Sequence, residues 1–243
     1  NYTVGSHGLA DQTAEDRLTQ VIDGWATAYD INPGSLTGVW AESNTRESIW
    51  DAIKNKETFA TSGPRMKVRF FGGFDFESSY DSSTFVQEGY AKGVPMGGDL
   101  LKTNEKSPQF IVWAMKDPMG PGLDRIQIIK GWLENGEMKE AIYNVAVSDD
   151  RTIQSDGSVE PLKATVNLET GDFDSSKGSS ELMTVWTDPD FDSSQKAFYY
   201  ARVLQLPTAR WTLYDEIREG VEYPDSVPKS IVERAWSSPI WVG

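Results

Sequence analysis

The chain has 243 residues, with 23 Lys and Arg against 37 Asp and Glu, for a formal net charge of −14. A surface that negative repels phosphate backbones and anionic lipid, so neither nucleic acid nor a membrane surface is an expected partner. Nine Trp, nine Tyr and ten Phe supply ample core material, which excludes a globally disordered chain.

No apolar run approaches the roughly 20 residues needed to cross a bilayer. The first residue is Asn1 rather than Met, with no signal segment ahead of it, so an upstream stretch is expected to have been removed. There is no Cys, and His7 is the single histidine. Disulfides, thiolate nucleophiles and Cys-ligated zinc are therefore ruled out. The lack of cysteine does not fix the compartment, and a periplasmic or secreted location is the expectation.

The N-terminal quarter reads as helical. Thr13 with Asp16 resembles a capping box, and Leu18, Val21, Ile22, Trp25 and Tyr29 follow at helical spacing. Asn32, Pro33 and Gly34 close that segment. Asn44 and Glu47 form a second cap, with Ile49, Trp50 and Ile53 on one face, which predicts a helix over about residues 45–56. Both apolar stripes are more simply core-facing than ligand-binding.

Beyond Gly63 and Pro64 the period changes to two: Met66, Val68 and Phe70 alternate with Lys67, Arg69 and Phe71. Short strand-like runs follow at residues 110–115, 126–129, 142–147, 162–168, 182–186 and 198–204. Turn pairs separate them, among them Asn135-Gly136, Asp156-Gly157 and Gly171-Asp172. Many short strands with Gly-rich turns predict an antiparallel β-sandwich.

The chemistry is bounded mostly by what is missing. One histidine cannot build a His-rich metal site or an HExxH pair, and no GxSxG surrounds any serine. Gly5, Ser6, His7 and Gly8 match neither the phosphate loop nor the dinucleotide fingerprint. Asp188, Asp190 and Asp192 stand at alternate positions, as in the first part of a calcium loop. Position six of that pattern is Ser193 and position twelve is Tyr199, so it is not an EF-hand; it is a candidate cation turn beside the simpler reading of a solvated acidic turn. Trp113, Trp132, Trp186, Trp211, Trp236 and Trp241 fit a sandwich core first and a carbohydrate platform second.

Several segments resemble one family. Residues 1–8 (NYTVGSHG), 36–50 (LTGVWAESNTRESIW) and 58–65 (TFATSGPR) are similar to the end of a polymerase-and-histidinol-phosphatase (PHP)-like domain, in an uncharacterised bacterial subgroup related to the CehA/McbA metallohydrolases. Residues 94–100 (VPMGGDL), 186–192 (WTDPDFD), 197–204 (AFYYARVL) and 234–241 (RAWSSPIW) continue the resemblance along nearly the whole chain. It implies a metal-dependent hydrolase of phosphoesters or related esters, with histidine and carboxylate ligands in an α/β barrel and a divalent metal in the parent protein. Those ligand motifs are not in this sequence. His7, Glu42 and Arg46 match the segment that follows the barrel in relatives, and are candidates for a site completed by the missing half.

The expected architecture is thus mainly β: residues 1–62 a helical remnant of the PHP-like barrel, and residues 63–243 an antiparallel β-sandwich packed on it. The expected function is that of the C-terminal, non-catalytic portion of a hydrolase. Its partner would be the N-terminal half of the same protein, or a second copy through self-association, and this chain alone would require no cofactor. The alternative is a free-standing β-sandwich module that binds a glycan or other ligand.

Overall fold

The computed structural model describes residues 13–19, 21–22, 26–30, 34–102, 105–163 and 166–243. A short helix α1 (Ala14–Thr19) opens it, followed by the two-residue strands β1 (Val21–Ile22) and β2 (Ala26–Thr27). Next come β3 (Leu36–Val39), α2 (Arg46–Lys54), β4 (Thr58–Thr61), β5 (Lys67–Gly73) and α3 (Phe85–Lys92). The strands β6 (Gly93–Pro95), β7 (Asp99–Leu100), β8 (Gln109–Met115), β9 (Leu123–Glu134), β10 (Glu137–Val147), β11 (Glu181–Thr187) and β12 (Ala197–Gln205) carry most of the sheet. The chain ends with β13 (Thr208–Ala209), α4 (Trp211–Glu219), β14 (Ser230–Ile231), β15 (Arg234–Ser237) and β16 (Ile240–Val242).

Two sheets dominate. The larger runs β10-β9-β12-β15-β4-β3, with β16 also against β12 and β7 against β16; the smaller runs β11-β8-β5-β6. Pairing within both is antiparallel except between β16 and β7. Alternation places Val68, Phe70, Phe110, Val112 and Ala114 of the smaller sheet against Ile126, Ile128, Tyr199, Ala201, Val203 and Ala235 of the larger one, in one buried cluster. Phe110 joins the two layers: it stacks on Phe70 at 5.2 Å and meets Tyr199 at 4.5 Å between ring centroids.

Neighbouring residues on the same strands face the other way. Phe71, Ile111 and Trp113 form a second cluster on the back of the smaller sheet, capped by Phe76 and by Phe85 of α3. Gly89 lets α3 lie close: a Cβ there would come within 2.5 Å of the Phe71 ring. The result is three layers, helix on sheet on sheet.

Two expectations are corrected here. First, the predicted N-terminal helix stops at Thr19. The Thr13–Asp16 capping box is present, with Asp16 N–H donating to Thr13 Oγ1 at 3.2 Å and Thr13 N–H to Asp16 Oδ2 at 2.9 Å. Val21 instead pairs with Thr27, as suits a β-branched residue; Trp25 lies outside the described residues. The second helix is capped by Thr45, whose hydroxyl accepts from Ser48 N–H, rather than by Asn44.

Second, the boundary at Gly63 does not divide helices from strands. β3 and β4 precede it, and β4 pairs with β15, so residues 36–61 are part of the larger sheet. α3 and α4 lie after it. The hydrophobic pattern of a short strand such as TFAT is too brief to register as period two, and strand pairing with a segment some 175 residues later is invisible locally. The expected strand at residues 162–168 is absent as a named strand among the described residues; Val166 makes only an isolated bridge with Phe173.

Candidate functional site

Of the site residues suggested by the family resemblance, Glu42 and Arg46 lie at or just before the start of α2. His7 lies outside the described residues. Glu42 and Arg46 are exposed, one just before and one at the start of α2. Along the helix, Arg46, Ile49, Trp50 and Ile53 share a face by the i, i+3, i+4, i+7 rule. Ala52, one turn on from Ile49, is the one buried residue of the helix. Trp50 is 64 % exposed and Ile53 49 %, so these two face solvent, while Ile49 is half-buried. With Glu47 they line an open hollow of about 610 Å³.

Fixed contacts hold this outward face in place. Trp40 donates its indole N–H to the Val68 carbonyl at 2.7 Å, and the Arg69 guanidinium stacks 3.7 Å above its ring. Arg69 also donates to the Tyr90 hydroxyl at 3.0 Å, and Tyr90 in turn donates to Glu57. Burial, and then the bond to Glu57, push the Tyr90 hydroxyl above its ordinary range, so it stays a donor. At the other end of the helix Gly97 packs onto the backbone of Asn55 and Lys56. These links tie both flanks of α2 to the smaller sheet and its β6–β7 turn.

The acidic turn is a different kind of cluster. Asp188 is fully buried, and its carboxylate meets the ammonium of Lys130 at 2.7 Å and the hydroxyl of Tyr199 at 2.6 Å. Its other oxygen accepts from the Asp190 backbone N–H at 2.9 Å. Lys130 also donates to the Asp190 carbonyl at 2.7 Å, and the Tyr143 hydroxyl donates to the Asp190 carboxylate at 2.8 Å. Asp192 turns away to its own loop, accepting from Ser194 N–H at 2.8 Å and Ser194 Oγ at 2.7 Å, bonds that hold its carboxyl below the usual range. Burial, reinforced by the bonds to Asp188 and Asp190, pushes both tyrosine hydroxyls up.

The three aspartates therefore do not gather around a common point, and the cation in this turn is Lys130. The Asp188 carboxylate is engaged by an ammonium, a hydroxyl and an amide. Among the described residues, no group of three or more His, Cys, Asp or Glu is placed to hold a metal. Lys130 was missed in the sequence because β9 reads as an apolar run. Its register carried the signal, since Ile126, Ile128 and Lys130 share one face, and a lysine at a core position needs a buried partner.

These features define a mainly β, antiparallel two-sheet protein that presents an apolar helix face outward. Residues 1–243 match the family described as "protein of unknown function (DUF3604)", and the chain belongs to that family. No curated protein and no solved structure matches it. Among the described residues, no helix is long and apolar enough to cross a membrane.

Proposed function

We propose that this chain is the C-terminal, non-catalytic portion of a metal-dependent, phosphoesterase-like hydrolase, which packs on the metal-binding half and shapes access to it. One observation carries the reading: α2 leaves Trp50 and Ile53 exposed, with Ile49 half-buried beside them, while burying only Ala52. Apolar stripes of that kind mark a surface meant for a partner. The resemblance of residues 36–50 and 58–65 to the end of a PHP-like barrel supports the remainder of that barrel as the partner. Glu42 and Arg46 lie on the same exposed segment, from which they would reach a site in the other half; His7 is the third candidate for that site. A divalent metal held there would activate water for ester hydrolysis; its ligands belong to that half, since this chain has one histidine and no cysteine.

The isolated 243-residue chain is accordingly expected to show no metal-dependent hydrolysis. Its assay uses manganese or zinc with p-nitrophenyl phosphate and bis(p-nitrophenyl) phosphate, and the expected rate equals that of buffer with metal. Turnover well above buffer that disappears in His7→Ala would overturn the proposal.

A further inference from the structure

The hairpin between β9 and β10 turns on two residues, Asn135 and Gly136, with φ of +53° and +82°. Both values are positive, as a type I′ turn requires, and Glu134 opposite Glu137 closes it. Asn135 and Gly136 are exposed. Among the described residues neither the Asn135 side-chain amide nor the Gly136 backbone N–H makes a hydrogen bond. A Cβ on Gly136 would meet nothing within 4 Å. The amide and the nitrogen that follows it are thus both unengaged, at a tip where nothing packs against them.

That combination is reactive. Asparagine is thermolabile because the next backbone nitrogen can attack its side-chain carbonyl carbon. The Gly136 nitrogen gives its proton to solvent and bonds to Asn135 Cγ; the bond from Cγ to the side-chain nitrogen breaks, and ammonia leaves. Water then opens the cyclic imide at one of its two carbonyls, giving aspartate or isoaspartate, so that one water is consumed for each ammonia released. Closure needs rotation about ψ and χ1 of Asn135, and a side chain on the following residue would crowd the approach. The other described asparagines lack this freedom. Asn144 precedes Val145, donates to the Gly157 carbonyl and accepts from Gln127, both at 2.9 Å. Asn167 precedes Leu168 and accepts from Glu169 N–H at 2.9 Å. Asn44 and Asn55 precede Thr45 and Lys56. We propose that Asn135 is a site of spontaneous deamidation, and that its products loosen β10 at the edge of the larger sheet. Isoaspartate lengthens the backbone by one carbon in a turn whose length sets the β9–β10 register. Either product also places a carboxylate between Glu134 and Glu137, which already oppose each other. Among the described residues β9 is the one strand that pairs with β10.

The test ages the chain at body temperature in mildly alkaline buffer and then digests it with trypsin, which releases residues 131–139 between Lys130 and Lys139. Mass spectrometry is expected to show amide-to-acid conversion in that peptide ahead of those carrying Asn44, Asn55, Asn144 or Asn167, and an isoaspartyl methyltransferase is expected to label it. Gly136→Ala is expected to slow the conversion severalfold. Asn135→Gly keeps two residues suited to positive φ in the turn, and its urea midpoint is expected to hold on ageing while that of the wild type falls as isoaspartate forms. No conversion in the folded chain, where the same peptide converts once released, would overturn the site, because the turn then shields it. Earlier conversion at another asparagine would overturn its selection, and an unchanged midpoint in fully converted protein would overturn the loosening.

Discussion

Asp188→Ala is expected to lower the unfolding free energy by about 3–5 kcal/mol, because it strands a buried charge. Lys130 and Asp188 have side chains 4 % and 0 % exposed, and they lie 2.7 Å apart between the sheets. Removing the carboxylate leaves the ammonium with only the Asp190 carbonyl among its bonds, and deprives Tyr199 of its acceptor. The double variant Lys130→Met/Asp188→Leu is expected to recover much of the loss, since a well-packed apolar pair often matches a buried ion pair. Urea melts of the three proteins read both effects through the midpoint. Coincident midpoints for the wild type and Asp188→Ala would mean that the pair is not buried in solution.

The second large effect is expected at Gly97, where the β6–β7 turn meets the end of α2. Its φ is +87°, and an added Cβ would lie 2.5 Å from both the Cβ and the carbonyl oxygen of Lys56, and 2.7 Å from the Asn55 carbonyl. Gly97→Ala therefore combines a strained backbone with a clash against main chain, each of about 1–3 kcal/mol. Gly136→Ala provides the comparison: its φ is +82°, but nothing lies within 4 Å of the added atom. That variant feels the strain alone. If both glycine variants melt at the same denaturant concentration, the close approach of the turn to α2 is absent.

The strands were legible where their alternation was long. The apolar runs in β8, β9, β10, β11 and β12 all fall inside observed strands, because each has one face in a core that dictates every second residue. α3 and α4 were not foreseen, although α4 ends with Gly220 at φ +70° in the left-handed cap position, a signal present in the sequence. α3 was hidden by Gly89, which reads as a helix breaker until the Phe71 ring beneath it is seen. β3 and β4 were hidden because their partner strand, β15, lies at the far end of the chain.

The candidate site was legible only in part. The apolar stripe Ile49, Trp50, Ile53 was visible at helical spacing, but its simplest reading was core-facing, and only the exposure of Trp50 and Ile53 in the folded chain shows that part of it faces out. The acidic turn was read from its own residues, whereas its chemistry is decided by Lys130, on a strand some 60 residues earlier.

Docking through α2 is tested most directly by hydroxyl-radical footprinting of Trp50, in the isolated chain and in the product of the same gene extended upstream of Asn1. Trp50 is 64 % exposed here, and burial against a barrel is expected to reduce its oxidation severalfold in the longer product. Trp241, on the outer face of the larger sheet, serves as the reference and is expected to oxidise equally in both. Equal oxidation of Trp50 in the two proteins would contradict the assignment of this chain as the docking portion of a larger hydrolase.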